Sequence, residues 1–168
     1  MESAIEEIPK STAGLRVLDL ACGGGRHTSL LLAAGHHVLA VDRDVRKITS
    51  RGPHPKLEIL AFDLETGRPW PFAAQRFAGI LVTNYLYRPM LGAALDLVSP
   101  GGTLIYETFG VGNEKFGRPS NPDYLARPGE IAGRARALRF SISNDSHRKI
   151  ETPRPAILQR VLARKSTI

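Results

Sequence analysis

The sequence predicts an α/β fold: a seven-stranded, mostly parallel sheet with helices on both faces and a C-terminal antiparallel hairpin. Three observations predict it. The first half alternates apolar strand-like runs with helix-like segments, the pattern of a parallel sheet covered on both sides. An apolar run, Arg16–Leu20, leads almost directly into three consecutive glycines, Gly23–Gly25, and then a helix-like segment. The last 30 or so residues hold two more strand-like runs, Leu138–Ser143 and Ala156–Ala163, separated by a Pro-containing turn at Thr152–Pro155.

Each element has its own local reason. Arg16–Leu20 reads as a buried strand, His27–Ala34 as a helix stopped by Gly35, and His37–Val41 as the second strand. Asp44 is a good capping residue for a short helix reaching Ser50, and Gly52–Pro55 is a turn before the third strand, Leu57–Ala61. Pro69–Gln75 is a loop in which Trp70 acts as an anchor, and Phe77–Thr83 is the fourth strand. A helix over Pro89–Val98 places its proline in the first turn. Ser99–Gly102 is a turn, and Thr103–Thr108 is the fifth strand. Gly110–Pro128, rich in Gly, Pro and Asn, is an ordered loop, and Gly129–Ala137 is the last helix.

A chain of 168 residues with 42% hydrophobic content suits one domain spanning 1–168, of which 1–14 is a short N-terminal extension. Met1–Lys10 lacks the basic start and long apolar stretch of a secretory signal, and no apolar run of about 18 residues exists to span a membrane. With one cysteine, Cys22, no intrachain disulfide forms, and a cytoplasmic setting is expected. The charge is uneven. Residues 1–112 hold 11 basic and 11 acidic groups, whereas 113–168 hold 12 basic and 5 acidic and so supply the whole +7. Such a basic third attracts an anionic metabolite or nucleic acid, or is simply a solvated surface.

The chemistry concentrates at Val17–Gly25. A glycine turn between a strand and a helix N-terminus offers backbone amides and a positive dipole end to an anion. Dinucleotide binders place a glycine at the last position of G-x-G-x-x-G, where this chain has Thr28. Asp19, inside the strand, suits the cationic end of an amino acid instead. Asp42 closes the second strand 17 residues after Gly25, where a carboxylate accepts ribose hydroxyls or caps the following turn. His36 and His37 are adjacent on a strand and point to opposite faces, and no His/Cys/Asp cluster has metal-ligand spacing, so no metal is expected.

The run D-x-A-C-G-x-G with an acid ending the next strand, together with Phe62-Asp63-Leu64 and Val82–Leu86, resembles the class I S-adenosylmethionine (SAM)-dependent methyltransferases, a Rossmann-like family. Within it the chain is similar to the small bacterial enzymes of the tellurite-resistance TehB type. Tyr106–Phe109 and Gly112–Pro119 resemble a less studied branch. The resemblance covers about residues 15–165. It implies that Asp19 and Gly23 contact the methionine part of SAM, with Ala21 and Gly25 in the turn. It further implies that Asp42 holds the ribose, Arg43 borders the adenine, Asp63 meets its amino group, Leu64 packs on the ring, and Asn84 and Tyr85 lie where the methyl group points. Ala21 stands where the family often has glycine. The stretch before the first strand is shorter than the lid of many relatives, so the cofactor is expected to be thinly covered.

Methyl transfer needs alignment first and a base only when the acceptor carries a proton. Glu107 is the candidate base, or else the partner of a nearby Arg, and Tyr85 lies beside the transfer point. Tyr87, Asn113, Phe116 and Arg118 are the candidate acceptor contacts, Arg118 for an acidic group. The expected reaction is methylation of a small, anionic or soft-nucleophile acceptor, releasing S-adenosylhomocysteine. The alternatives are an RNA or protein methyltransferase docking through the basic last third, and a SAM-binding module without turnover.

Overall fold

The computed structural model describes residues 2–10 and 14–168, so Met1 and 11–13 of the expected N-terminal extension lie outside the described residues. The elements are α1 (Glu2–Ile5), β1 (Val17–Leu20), α2 (Arg26–Ala33), β2 (Val38–Asp42), α3 (Arg46–Thr49), β3 (Leu57–Ala61), β4 (Phe77–Thr83), α4 (Arg88–Asp96), β5 (Val98–Phe109), α5 (Glu130–Ala137), β6 (Phe140–Ile150) and β7 (Ala156–Lys165). All seven strands form one sheet in the order β3-β2-β1-β4-β5-β7-β6. β1 to β5 pair in parallel, and β7 runs antiparallel to both β5 and β6. The strand order reverses at β1, whose neighbours are β2 and β4. Open α/β sheets have their ligand crevice at such a point, beyond the carboxyl ends of the strands.

β1 is buried along its whole length, and β2 and β4 are buried up to their last residues, as strands covered on both faces must be. One core cluster holds Leu18, Leu20, Val82, Leu104 and Tyr106 with α4 and α5; the other holds Val17, Leu81 and Ile105 with Leu31 of α2 and Ile5 and Ile8 of the N-terminal segment. That segment was expected only as an extension. It packs on the sheet instead: the Thr103 hydroxyl donates to the Glu7 carbonyl at 2.9 Å.

Several boundaries differ from the sequence reading. The helix expected over Pro89–Val98 is capped at Leu97, because Val98 is drawn into β5 by pairing with Phe77. Ser99–Gly102, expected as a turn, is the beginning of β5, where Gly101 has φ +73° and the β4–β5 register slips between Phe77 and Gly79. The slip absorbs the Pro-Gly-Gly run as an irregular stretch of strand, so turn residues mark a bulge here. β6 extends to Ile150, because cross-strand pairing with β7 outweighs the polar composition of Asn144–Lys149. Gly110–Pro128 holds two short 3-10 turns, Asn113–Lys115 and Pro122–Tyr124. Trp70 is buried, stacks on Phe72 at 5.4 Å and donates to the Leu64 carbonyl at 3.3 Å.

Candidate functional site

The turn after β1 is built around two unusual residues. Gly25 caps α2 with φ +76°, and a Cβ there would sit 2.7 Å from Cγ1 of Ile48 in α3, so both conformation and close approach demand glycine. Ala21 also lies in the left-handed region, at φ +58°, where its Cβ is a liability.

Asp19 is 1% exposed. Its Oδ2 accepts the Thr28 hydroxyl at 2.5 Å, while its Oδ1 is buried with no hydrogen-bond partner. Burial raises its pKa to about 6, against the hydrogen bonds from Thr28, and the nearby Asp42 charge adds to the rise. Thr28, notable in the sequence only for not being glycine, is thus the residue that fixes one oxygen of Asp19 and leaves the other unsatisfied. The thiol of Cys22 is pushed up to about 12 by burial and by the charges of Asp19 and Asp42, which rules out a ready nucleophile.

Asp42 ends β2. Its Oδ2 accepts from the Gly23 amide at 2.8 Å and its Oδ1 from the Asp44 amide at 2.9 Å, so it ties the glycine turn to the neighbouring strand. Each oxygen retains a further lone pair for a ligand hydroxyl. Asp63 caps its own turn, accepting from the Glu65 amide at 3.0 Å. Asp42, Arg43, Asp63, Leu64 and Ala21 line one cleft of about 390 Å³ beyond the carboxyl ends of β1 to β3. Phe62, Glu65, Tyr85 and Tyr124 complete it. Gly23 borders the turn with open space where a Cβ would stand.

Asn84 follows β4 at φ +53°. With Tyr85 it lines a second recess, of about 230 Å³, which shares Glu65, Tyr85 and Tyr124 with the cleft. The Tyr85 backbone carbonyl accepts the Tyr106 hydroxyl at 2.8 Å, while the Tyr85 hydroxyl is itself buried without a partner.

Glu107 stands elsewhere. Along β5, Leu104 and Tyr106 face the α4–α5 side, whereas Ile105, and by alternation Glu107, face the α1–α2 side. There Glu107 is ion-paired with Arg160 of β7, the alternative role the sequence left open. It sits opposite Thr83 in the β4–β5 register, and Thr83 Oγ1 lies 3.2 Å from Nδ1 of the buried His27.

The other candidate acceptor contacts are dispersed. Tyr87 precedes α4 and packs in a small void beside Trp70 and Met90. Asn113 is buried and stitches its loop, donating to the Pro119 carbonyl and accepting from the Ile157 amide, each at 3.1 Å. Phe116 is exposed under the Lys149 ammonium, 5.0 Å from its ring centroid. Arg118 is exposed and lines neither the cleft nor the recess.

Three residues missed in the sequence matter here. Glu65 was within reach, two positions after Asp63. Tyr124 carried no signal, because it lies in the aperiodic loop. Arg88 holds that loop in place: its guanidinium pairs with Glu130 at 2.5 and 2.9 Å and donates to the carbonyls of Asp123 at 2.7 Å and Leu125 at 2.8 Å. Burial alone would raise Glu130, but the hydrogen bonds from Arg88 and the Arg127 amide carry it below the usual carboxylate range. Among the described residues, no helix is long and apolar enough to cross a membrane.

No protein-family model matches the chain. Among curated proteins, a ubiquinone biosynthesis O-methyltransferase of Cereibacter sphaeroides is 30% identical over 115 residues, which cover 64% of this chain and 47% of that protein. The chain therefore spans about half the length of the curated relatives it matches. Among solved structures, TehB from Haemophilus influenzae superposes with a TM-score of 0.66 at 16% identity, over 99% of this chain and 63% of that one. The 1,6-didemethyltoxoflavin-N1-methyltransferase of Burkholderia thailandensis, solved with its substrate and S-adenosylhomocysteine, gives 0.63 at 20% identity, over 98% and 77%. At such identities likeness speaks to architecture, and the architecture of this chain is that of the class I SAM-dependent methyltransferases.

Proposed function

We propose that this chain is a SAM-dependent methyltransferase acting on a small-molecule acceptor, its whole length serving as one catalytic domain in the cytoplasm. The observation that carries the reading is the buried, unpartnered Oδ1 of Asp19. An isolated buried carboxylate oxygen is costly, and nothing among the described residues satisfies it, whereas an ammonium group would. Two of the relatives named above, the ubiquinone biosynthesis O-methyltransferase and the 1,6-didemethyltoxoflavin-N1-methyltransferase, methylate small molecules by their names, which supports the acceptor class, and the second was solved with S-adenosylhomocysteine.

The residues fit the cofactor. Asp19 would take the amino group of its methionine part, and the amides of the glycine turn at the α2 N-terminus would take the carboxylate. Asp42 would accept the ribose hydroxyls, Asp63 the adenine amino group, and Phe62 and Leu64 would pack against the ring, with Arg43 at its border. When bound, SAM supplies a methyl group on a sulfonium, open to direct displacement. The protein's task is alignment: Tyr85 lines the cleft at the end of β4, Asn84 lines the adjoining recess, and Tyr124 reaches both from the loop after β5. A roof from that loop serves where the N-terminal segment, packed on the sheet, does not.

The basic last third supports a nucleic-acid or protein partner less well. Arg160 is paired with Glu107, Lys149 with Glu151 at 2.8 Å, and Lys165 with Asp96 at 3.2 Å, which leaves less charge for a continuous docking surface. The test is titration with S-adenosylhomocysteine by calorimetry, followed by methyl transfer from SAM. Saturable one-to-one binding is expected, and no heat at millimolar ligand would sink the reading. Tight binding with no transfer to any small-molecule pool would favour a module without turnover.

A further inference from the structure

The recess at the end of β4 is lined mainly by aromatic and apolar side chains, with Asn84 and Thr108 among its polar residues. Tyr85, Phe109 and Tyr124 supply aromatic walls, with Pro119 beside them, and Glu65 is the one ionisable carboxylate among its lining residues. Planar apolar walls with few polar groups suit a planar apolar ligand. The recess opens into the cofactor cleft through Glu65, Tyr85 and Tyr124, which line both. Glu65 therefore stands where the cleft and the recess meet. The buried, unpartnered Tyr85 hydroxyl is a second unsatisfied polar group. Burial, and then the charge of Glu65, pushes that phenol upward, which marks the two groups as near neighbours. Glu107 points to the other face of the sheet and is held by Arg160, so it does not reach this place. No arginine or lysine lines the recess, so nothing there complements an anionic acceptor.

We propose that this recess is the acceptor site, that its ligand is an uncharged aromatic bearing a hydroxyl group, and that Glu65 is the base which accepts the hydroxyl proton. This rests on the SAM-binding reading above. The acceptor oxygen forms the new O–CH3 bond as the C–S bond breaks, the electron pair of that bond stays on the departing thioether sulfur, and the acceptor proton passes to a Glu65 carboxylate oxygen. The Tyr85 hydroxyl donates to the acceptor oxygen and orients it. Phe109 and Tyr124 hold the ring.

The test uses the full chain saturated with S-adenosylhomocysteine, titrated by calorimetry with catechol, p-cresol and 2-naphthol, with cyclohexanol as the saturated control. At least one phenol is expected to bind, and cyclohexanol to bind roughly tenfold more weakly or not at all. Phe109→Ala should weaken phenol binding by about tenfold and leave S-adenosylhomocysteine affinity unchanged, because Phe109 does not line the cofactor cleft. Phe109→Leu, which keeps the packing volume, should give an intermediate loss and guards against a folding defect. With SAM as donor, Glu65→Gln should retain phenol binding but lower kcat by about 100-fold at neutral pH. Its rate should recover as the pH rises and the phenol ionises by itself. Cofactor binding without phenol binding overturns this proposal alone, as does equal binding of cyclohexanol, or a Glu65→Gln rate equal to wild type or unrecovered at high pH. Absence of S-adenosylhomocysteine binding overturns the cofactor reading as well.

Discussion

Replacing Asp19 by Asn should stabilise the fold while destroying the cofactor site. The native state holds the Asp19 proton more tightly than the unfolded chain does, because its pKa rises from 3.8 to about 6 with burial as the leading cause. Stability from this group is therefore fully present below pH 3.8 and is lost as the pH rises through 6. The shift is a little over two units, and each unit is worth 1.36 kcal/mol, so the ionised carboxylate destabilises the native state at pH 7.5 by up to about 3 kcal/mol. Asn keeps an oxygen for the Thr28 hydroxyl and cannot ionise. Asp19→Asn should thus gain up to about 3 kcal/mol at pH 7.5, or roughly 6–12 °C in Tm for a domain of this size. The gain should shrink to about 0.5 kcal/mol near pH 4, where the native wild-type carboxyl is itself protonated. Thermal melts followed by circular dichroism at both pH values read this directly. In parallel, S-adenosylhomocysteine affinity should fall by about 1.5–3 kcal/mol, since a charge-assisted hydrogen bond to the ammonium is lost. A variant that melts below wild type at pH 7.5, or whose gain persists undiminished at pH 4, would refute the idea that Asp19 is held buried and ionised for a ligand.

Other expectations follow from neighbouring contacts. S-adenosylhomocysteine affinity in the wild type should fall about tenfold for each unit of pH below 6, since the ligand ammonium needs the ionised Asp19; flat affinity from pH 7 to 5 would exclude that contact. Asp42→Ala should weaken the ligand by about 1–3 kcal/mol and also lower Tm, because the Gly23 and Asp44 amides lose their acceptor. Calorimetry showing unchanged affinity would remove Asp42 from the site. Ala21→Gly should stabilise by about 0.5–1 kcal/mol in urea titration: relief of the left-handed strain at φ +58° exceeds the added unfolded-state entropy. Arg88→Met should cost about 2 kcal/mol and make 118–125 the first site of proteolytic cleavage, because the Asp123 and Leu125 carbonyls lose their donors. Cleavage elsewhere first would show that another contact holds the loop.

The strand–glycine–helix joint and the acids ending successive strands were legible because they are local. A glycine at φ +76° beneath a packed helix, or a carboxylate closing a buried strand, is specified by a few adjacent residues. So the sheet and its C-terminal hairpin could be read from the chain, whereas the irregular start of β5 and the length of β6 were misjudged. Both errors have one cause. Pairing across strands overrides turn-forming and polar residues, and sequence alone does not show which partner strand lies alongside.

The acceptor side was illegible for a different reason, and Glu107 illustrates it. Alternation along β5 is visible in the sequence, so Tyr106 and Glu107 were bound to face opposite sides of the sheet. Which of those sides opens into the acceptor recess depends on where the loop between β5 and α5 folds back. That is decided by Arg88, on another helix, reaching carbonyls 35 to 37 positions away. The loop has no periodicity of its own, and its 3-10 turn at Pro122–Tyr124 has meaning only once this clamp sets it over the cleft. Tyr124 then joins Tyr85 and Glu65 from two other segments, and two residues unremarkable in sequence share with Tyr85 the lining of both the cleft and the recess. The glycine turn and the acids that end successive strands are each specified by a few adjacent residues. The proposed acceptor recess is instead assembled from side chains far apart in sequence, so changing the clamp or the loop should change what binds there while leaving the glycine turn intact.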